Sequence, residues 1–110
     1  MMEPEQKRNN AIGLAMKAGK LKSGDFIVEK LVRAGGVRLV LIDETASDNT
    51  REKYAHLCEN THTILLAIPE LGMAIGKPGR IVAAVTDTNF TNLIQSVASN
   101  GIVTDEGTRG

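Results

Sequence analysis

The chain has 110 residues and a mass of 11.8 kDa, which fits one domain and leaves no room for a second. Hydrophobic residues make up 42% and charged residues 24% of the chain, as in a soluble globular protein rather than a disordered one. No apolar run approaches the roughly 18 residues of a membrane span, and the N-terminus lacks the apolar segment of a secretory signal. The single cysteine, Cys58, cannot form a disulfide framework, which favours a reducing cytoplasm.

The charges are balanced overall but unevenly distributed. Thirteen basic and thirteen acidic side chains give a formal net charge of zero, which argues against a strongly basic nucleic-acid-binding protein. Residues 1–40 carry eight basic and four acidic side chains, whereas residues 41–110 carry five basic and nine acidic ones. A neutral protein with this asymmetry can still present one cationic face.

Two helices and a strand are predicted in the first part of the chain. The helix over residues 5–18 ends at Gly19, and its apolar positions recur at helical spacing: Ala11, Ile12, Leu14, Ala15, Met16 and Ala18. Ser23 is the predicted N-cap of a second helix over residues 24–34, which ends at Gly35-Gly36 and turns to the core Ile27, Val28, Leu31 and Ala34. The apolar run over residues 38–42 is too short for a helix and predicts a buried strand.

The second part of the chain continues this alternation. A third helix begins with Ser47 or Asp48 as its cap and runs to about residue 60, with an inner face of Thr50, Tyr54, Leu57 and Cys58. Strands are predicted over residues 63–68 and 81–86. Between them, Pro69 suits the first turn of a short helix that ends between Gly76 and Gly79.

A final helix completes a single domain over residues 1–101. Gly101 is predicted to end this helix, whose apolar stripe is Phe90, Leu93, Ile94, Val97 and Ala98, and residues 102–110 are expected to form a flexible tail. Because helices separate strands that are nearly all apolar, the sheet is expected to be covered on both faces. The pattern therefore predicts an α/β protein, a three-layer α/β/α sandwich.

Motifs for catalysis or metal binding are weak. The segment over residues 72–77 has three rather than four residues between its glycines, and Pro78 follows the lysine, so it is not a phosphate-binding loop. His56 and Cys58 would lie on different sides of a helix, and Cys58 with His62 makes only two ligands, so no metal site is predicted. Asp43-Glu44 follows a strand but has no partnered base. We expect that the protein is not an enzyme and that it binds no cofactor and no small-molecule substrate.

The start of the second helix is a better candidate for a binding surface. Phe26, Lys30 and Arg33 are spaced to share its solvent side. Lys20 and Lys22 precede Gly24, and a helix N-terminus flanked by lysines suits a phosphate. An exposed Phe26 could stack on a base, although it could instead tuck under the neighbouring short helix.

Several short segments, in their order along the chain, resemble the sequences of a known family. These segments are GLAMKAGKLKSG (residues 13–24), Glu29-Lys30, RLVLI, Cys58-Glu59, ELGMAIGK (residues 70–77) and VAAVTD (residues 82–87). Over roughly residues 8–98 they resemble the kink-turn RNA-binding ribosomal-protein family, L-seven-Ae/L-thirty-e, and most closely its small bacterial YlxQ-like branch. The resemblance implies a mixed, four-stranded, mostly buried sheet with a short extra strand near Lys20-Leu21-Lys22. It also implies binding to a kinked RNA internal loop in the translation apparatus.

The resemblance also implies where RNA would bind. In that family, the glycine that opens the second helix, the residues after it and a lysine one turn later grip the kink, and Gly24 and Lys30 match these positions. Leu71 and Gly72 match the family's Leu-Gly pair, which makes Ala67, Ile68, Pro69 and Glu70 the preceding loop, whose apolar atoms contact a flipped-out base. However, Asp25, Phe26 and Ile27 stand where the family's RNA readers typically have Thr-Asn-Glu, and a hydrophobic side chain cannot read a base edge.

Two functions remain open at this stage. In the first, a small ribosome-associated protein binds a structured RNA, with Lys20, Lys22, Lys30 and Arg33 at phosphates. In the second, the family fold has lost its kink-turn readout and serves as a protein-interaction or homodimerisation module. Phe26 and Ile68 would then form an exposed apolar patch.

Overall fold

The computed structural model describes residues 3–102, with side chains over residues 3–98. Over this range the chain forms five helices and four strands: α1 Pro4–Lys17, β1 Leu21–Ser23, α2 Asp25–Ala34, β2 Leu39–Asp43, α3 Asp48–Asn60, β3 Ile64–Ile68, α4 Leu71–Ile75, β4 Val82–Val85 and α5 Thr88–Ile102. No helix in this described range is both long enough and apolar enough to cross a membrane. The predicted tail lies outside the described residues, except for Ile102, the last residue of α5.

The four strands form one mixed sheet in the order β1-β4-β2-β3. β2 and β3 run parallel, while β4 pairs antiparallel with both β1 and β2. This arrangement confirms the mixed four-stranded sheet and the short strand around Leu21. β2 and β4 occupy the centre, and all of their residues are buried.

Alternation along the central strands builds a core on each face of the sheet. Leu39 and Leu41 pack in the cluster that includes α1, α4 and α5 residues, and Val40 and Ile42 pack in the cluster that includes α2 and α3 residues. The three-layer α/β/α sandwich predicted from the sequence is therefore confirmed. Leu41 is fully buried, so Leu41→Ala should lower the free energy of unfolding by about 2–5 kcal/mol.

Three predicted helix boundaries are wrong by a small margin. The N-cap of α2 is Gly24 rather than Ser23, because Ser23 still pairs with Ala83 as the last residue of β1. Pro69 lies before α4 rather than in its first turn, since Glu70 is the N-cap. α5 continues through Gly101 to Ile102.

Several predicted core positions are exposed. Ala34 faces solvent, and Val32 takes its place in the core because Val28 and Val32 lie one helical turn apart on the inner side of α2. Leu14 of α1, Ala18 at the C-cap of α1 and Leu93 of α5 are also exposed, so the inward stripes of these helices are narrower than their apolar spacing predicts.

β3 differs from the other long strands because it is only partly covered. Ile64 is 47% exposed, Ala67 is exposed, and Leu65 and Leu66 are half-buried. The apolar run predicted a strand covered on both faces, but β3 is at the edge of the sheet, where the helical layers end.

Candidate nucleic-acid interface

The N-terminus of α2 is open. Gly24 is its N-cap, with φ 116° and ψ 141°, and no side chain caps the helix. The Gly24 N–H donates to the carbonyl oxygen of Val82 at 3.1 Å, which fixes the helix start against β4. The uncapped N–H groups of the first turn and the helix dipole favour an anion at this end.

Arg80 adds a positive charge at the same place, and it is not among the residues that the sequence pattern predicts for this site. Its Nη1 donates to the Ser23 carbonyl oxygen at 2.8 Å. A Cβ on residue 24 would come within 2.7 Å of that nitrogen, so Gly24 supplies both the positive φ and the space. No local sequence pattern indicates Arg80. This residue precedes β4, and it lies beside Ser23 and Gly24 because β4 pairs with β1.

Phe26 is the exposed aromatic side chain of the chain. Of the two Phe, one Tyr and no Trp in the sequence, Tyr54 is buried and Phe90 is half-buried, whereas Phe26 is 81% exposed. The alternative in which Phe26 tucks under the short helix is therefore wrong. Its ring lies in the first turn of α2, two residues after Gly24.

The predicted lysines remain available, but the predicted arginine is paired. Lys20, Lys22 and Lys30 are exposed, and none of them forms an ion pair with another described residue. Lys22 points to the α2 side of the sheet, because Leu21 beside it packs in the opposite cluster. Arg33 binds the Glu29 carboxylate at 2.8 Å along the helix.

A polar cluster holds the Asp25 side chain. Its carboxylate accepts a hydrogen bond from the Tyr54 hydroxyl and lies 3.0 Å from Lys53 Nζ. These two contacts hold the pKa of Asp25 below its usual value. Burial, and then the bond to Asp25, raises the pKa of Tyr54. Lys53 Nζ also lies 2.8 Å from Glu29 Oε1, so one cation is shared by two carboxylates.

Two adjoining clefts connect the start of α2 with the loop before α4. One, of about 390 Å³, is lined by Gly24 and Asp25 together with the loop after β2 and residues 79–82. The other, of about 330 Å³, is lined by Glu70 and Gly72 and shares Arg80 with the first. The two clefts share Thr45 and residues 79–81, so they lie side by side between the start of α2 and the loop before α4.

The predicted loop over residues 67–72 divides into exposed and buried positions. Ala67, Pro69 and Glu70 are exposed, but Ile68 and Leu71 are fully buried. The Ile68 side chain is therefore not accessible to a flipped-out base, and the predicted exposed patch of Phe26 with Ile68 is wrong. Ile68 is the last residue of β3, and its side chain belongs to the core beneath α1 and α4.

Gly72 is required by close packing. A Cβ there would come 2.9 Å from the Lys77 carbonyl oxygen and 3.1 Å from the Gly79 nitrogen, both of which are backbone atoms. Gly72 therefore allows the turn over residues 77–79 to lie against α4, and this turn leads into Arg80.

Asp43 fixes the two loops that border the clefts. Its Oδ1 accepts the Leu71 N–H at 2.7 Å, and its Oδ2 accepts the Thr45 N–H at 2.9 Å and the Thr45 hydroxyl. Burial would raise the pKa of this carboxyl, but the bonds from Thr45 and Leu71 outweigh burial and hold it below its usual value. Asp43 thus has a structural role at the start of α4.

The residues considered for metal or thiol chemistry do not converge. Cys58 is buried, and burial raises the pKa of its thiol, whereas His56 and His62 are exposed. Within residues 3–98, no three His, Cys, Asp or Glu side chains are grouped in a way that could hold a metal ion.

Sequence comparisons identify relatives over most of the chain. A model of the ribosomal protein L7Ae/L30e/S12e/Gadd45 family matches residues 6–94. RNA-binding protein YlxQ of Bacillus subtilis (strain 168) is 38% identical over 89 residues, which are 78% of this chain and 89% of that protein. RNA-binding protein YlxQ of Enterococcus faecium is 35% identical over 88 residues, which are 77% of this chain and 84% of that protein.

Solved structures share the fold. A protein of unknown function from Bacillus halodurans has a TM-score of 0.78 and 31% identity, covering 83% of this chain and 95% of that one. The 15.5 kD RNA-binding protein of Giardia lamblia has a TM-score of 0.71 at 20% identity, covering 91% of this chain and 88% of that one. At that identity the second likeness concerns the fold alone.

Proposed function

Because the chain belongs to the ribosomal protein L7Ae/L30e/S12e/Gadd45 family, we propose that it binds a structured RNA through the N-terminal end of α2. The observation that carries this proposal is that the exposed Phe26 ring and the Arg80 guanidinium both lie at the uncapped N-terminus of α2. The names of the two YlxQ relatives support the same class of ligand.

The side chains of this end suit phosphates and base faces. Arg80 and the free N–H groups after Gly24 would bind one phosphate, and Lys20, Lys22 and Lys30 would bind others along the backbone. Phe26 would stack on an unpaired base, which is worth about 1–3 kcal/mol. Arg33 would contribute less, since Glu29 already neutralises it.

The preferred RNA is one with an unpaired, kinked internal loop. A regular RNA duplex keeps its bases stacked, whereas a kinked loop exposes base faces to a protruding ring. Asp25 and Ile27 leave no side-chain amide to read base edges, so recognition would depend on RNA shape, on stacking and on phosphate positions. The exposed loop residues Ala67, Pro69 and Glu70 would border the kink, while Leu71 and Gly72 would shape the loop. This role belongs to the translation apparatus of the cytoplasm and requires no catalytic step.

The test compares two RNAs of equal length, one with a kink-turn and one a straight duplex. Binding of the purified protein is measured by filter binding at several salt concentrations. We expect tighter binding to the kinked RNA at every salt concentration. The logarithm of the affinity should fall linearly with the logarithm of salt concentration for both RNAs, because phosphates are neutralised in each case.

A second pair of variants ties the binding to α2. Lys22→Gln should weaken binding to both RNAs, whereas Lys17→Gln on α1, an exposed lysine of the opposite helical layer, should leave both affinities unchanged. Equal and weak affinity for the two RNAs would reject recognition of a kinked loop. Equal effects of the two variants would reject the assignment of the face.

A further inference from the structure

Among the residues that the structure describes, the outer edge of β3 carries unpaired backbone groups. Ile64 N–H donates to the Arg38 carbonyl, and the Ile68 carbonyl accepts the Glu44 N–H, so residues 64, 66 and 68 direct their backbone groups toward β2. By alternation, Leu65 and Ala67 direct theirs to the opposite side. The backbone hydrogen bonds of the described residues do not involve the outward groups of Leu65 and Ala67.

The β3 segment itself lacks the charged residues and internal prolines that usually prevent strand pairing. Residues 63–69 contain no charged side chain, and the one proline, Pro69, lies after the strand. A cleft of about 480 Å³ beside the strand is lined by Pro4 and Arg8 of α1, Leu66 of β3, and Val97 and Ala98 of α5, so the described residues of these two helices leave a gap along the edge. Ile64, at 47% exposure, is an apolar side chain left at this border.

We propose that β3 pairs antiparallel with β3 of a second copy of this chain, which joins two sheets into one across a two-fold axis. With Leu66 opposite Leu66 of the second copy, Leu65 of each chain lies opposite Ala67 of the other. These pairs exchange both backbone hydrogen bonds, which gives four bonds in all. Such an interface is isologous and closed, so it stops at a dimer.

The groups at both ends of the strand select this register. Thr63 N–H is already bonded to the Cys58 carbonyl at 2.8 Å, and Pro69 has no N–H. Shifting the pairing by two residues in either direction would leave outward carbonyls of Leu65 or Ala67 facing one of these positions without a donor. Centred on Leu66, the ladder pairs all four outward groups of each strand.

The flanking residues complement one another in the same arrangement. His62 and Glu70 both have positive φ, at 56° and 51°, and turn the chain away at the two ends of β3. In this register residues 62 and 70 are opposed, so the two-fold axis brings His62 of each chain to the end of the ladder where Glu70 of the other lies. A charged peptide would find no partner along residues 63–69, whereas a second β3 matches this apolar strand in length and ends.

Sedimentation velocity over a wide range of protein concentration is the first test. We expect a reversible monomer–dimer equilibrium, with weak affinity because the interface is small. Ile64→Lys should raise the dimer dissociation constant about tenfold or more, since it places two charges at the new junction. Leu14→Lys is the matched control, because Leu14 is an exposed apolar residue of α1 at 55% exposure and lies outside the cleft beside β3.

Disulfide trapping tests the register through the formation of a covalent dimer, whereas Ile64→Lys tests the interface through a loss of binding. In an antiparallel pair, opposed residues without mutual hydrogen bonds have Cα atoms about 4.5 Å apart, within the range that a disulfide spans. Leu66→Cys should therefore form a covalent dimer under mild oxidation, whereas Leu14→Cys should not. The buried Cys58 can stay in place, and the wild-type chain controls for it.

Two outcomes would overturn the proposed dimer. A wild-type chain that remains monomeric at all concentrations overturns the proposal and leaves the edge to an extended segment of another protein. A dimer that survives Ile64→Lys and is not trapped through Leu66→Cys overturns it as well, because the interface then lies elsewhere. Neither test contains RNA, so neither outcome depends on the RNA-binding proposal.

Discussion

Replacing Phe26 with alanine tests the proposed interface most directly. The ring is 81% exposed in the first turn of α2, so its removal leaves no cavity and should change the free energy of unfolding by less than about 0.5 kcal/mol. If the ring stacks on a base, binding loses about 1–3 kcal/mol, which corresponds to a roughly 5- to 150-fold higher dissociation constant.

The assay is a titration of kinked RNA with wild-type protein, Phe26→Ala and Phe26→Tyr. Tyrosine keeps an aromatic face and should restore most of the affinity. Leu14→Ala on α1 removes another exposed apolar side chain and should bind as tightly as the wild type. The salt dependence should be the same for all four proteins, because none of these changes removes a charge. Unchanged affinity of Phe26→Ala, with its fold intact by circular dichroism, would refute stacking.

Three further changes test a phosphate contact and two structural residues. Lys30→Gln should reduce the slope of log affinity against log salt by about one relative to Lys17→Gln, and an equal slope would contradict a phosphate contact at Lys30. In urea denaturation at pH 7, Asp43→Asn should lower the free energy of unfolding by about 2–3 kcal/mol, because a buried carboxylate that accepts backbone bonds is lost. The pKa of Asp43 is lowered by folding, so its contribution is present above about pH 4, and the difference between the two proteins should shrink as the pH falls further. Gly72→Ala should cost about 1–3 kcal/mol, since its Cβ would meet backbone atoms, while Gly36→Ala, with open space around it, should not.

The sequence predicts the elements well because each depends on local patterns. The apolar run at β2, the glycine at the end of α2 and the serine cap of α3 are all local signals, and Ser47 does accept the Thr50 N–H. The remaining errors at the helix boundaries amount to one or two residues. Ser23 is not the N-cap of α2, because its pairing with Ala83 of β4 makes it the last residue of β1. This pairing is not visible in the residues around Ser23.

The exposure of β3 illustrates what a local pattern cannot predict. An apolar run of five residues is compatible with a central or an edge strand, and strand order decides which one it is. The same order places Arg80 at the start of α2. Its contact with Ser23 spans 57 residues of sequence, so this cation at the helix N-terminus could not be found by inspecting residues around Gly24.

The burial of Ile68 has a similar cause. The resemblance placed this residue in a loop that contacts RNA, but β3 extends to residue 68 and alternates toward the core that contains Leu71. Because the side chains of Ile68 and Leu71 are buried, they are not accessible to a base. Phe26 is therefore the main apolar group that this interface offers to a base. The balance of the proposed interface therefore shifts from the loop toward α2.

Asp25 bears most directly on whether this face can accept a polyanion. Seen in the sequence, a carboxylate next to Gly24 argues against a phosphate there, and the neutral total charge of the chain argues the same way. In the fold, Lys53 lies against the carboxylates of Asp25 and Glu29, and the Tyr54 hydroxyl donates to Asp25. Each negative charge at the start of α2 thus has a positive neighbour, while Lys30 has no ion pair with another described residue. The local field at this end of the helix is set by such pairings rather than by the net charge of the chain, and it favours an anion.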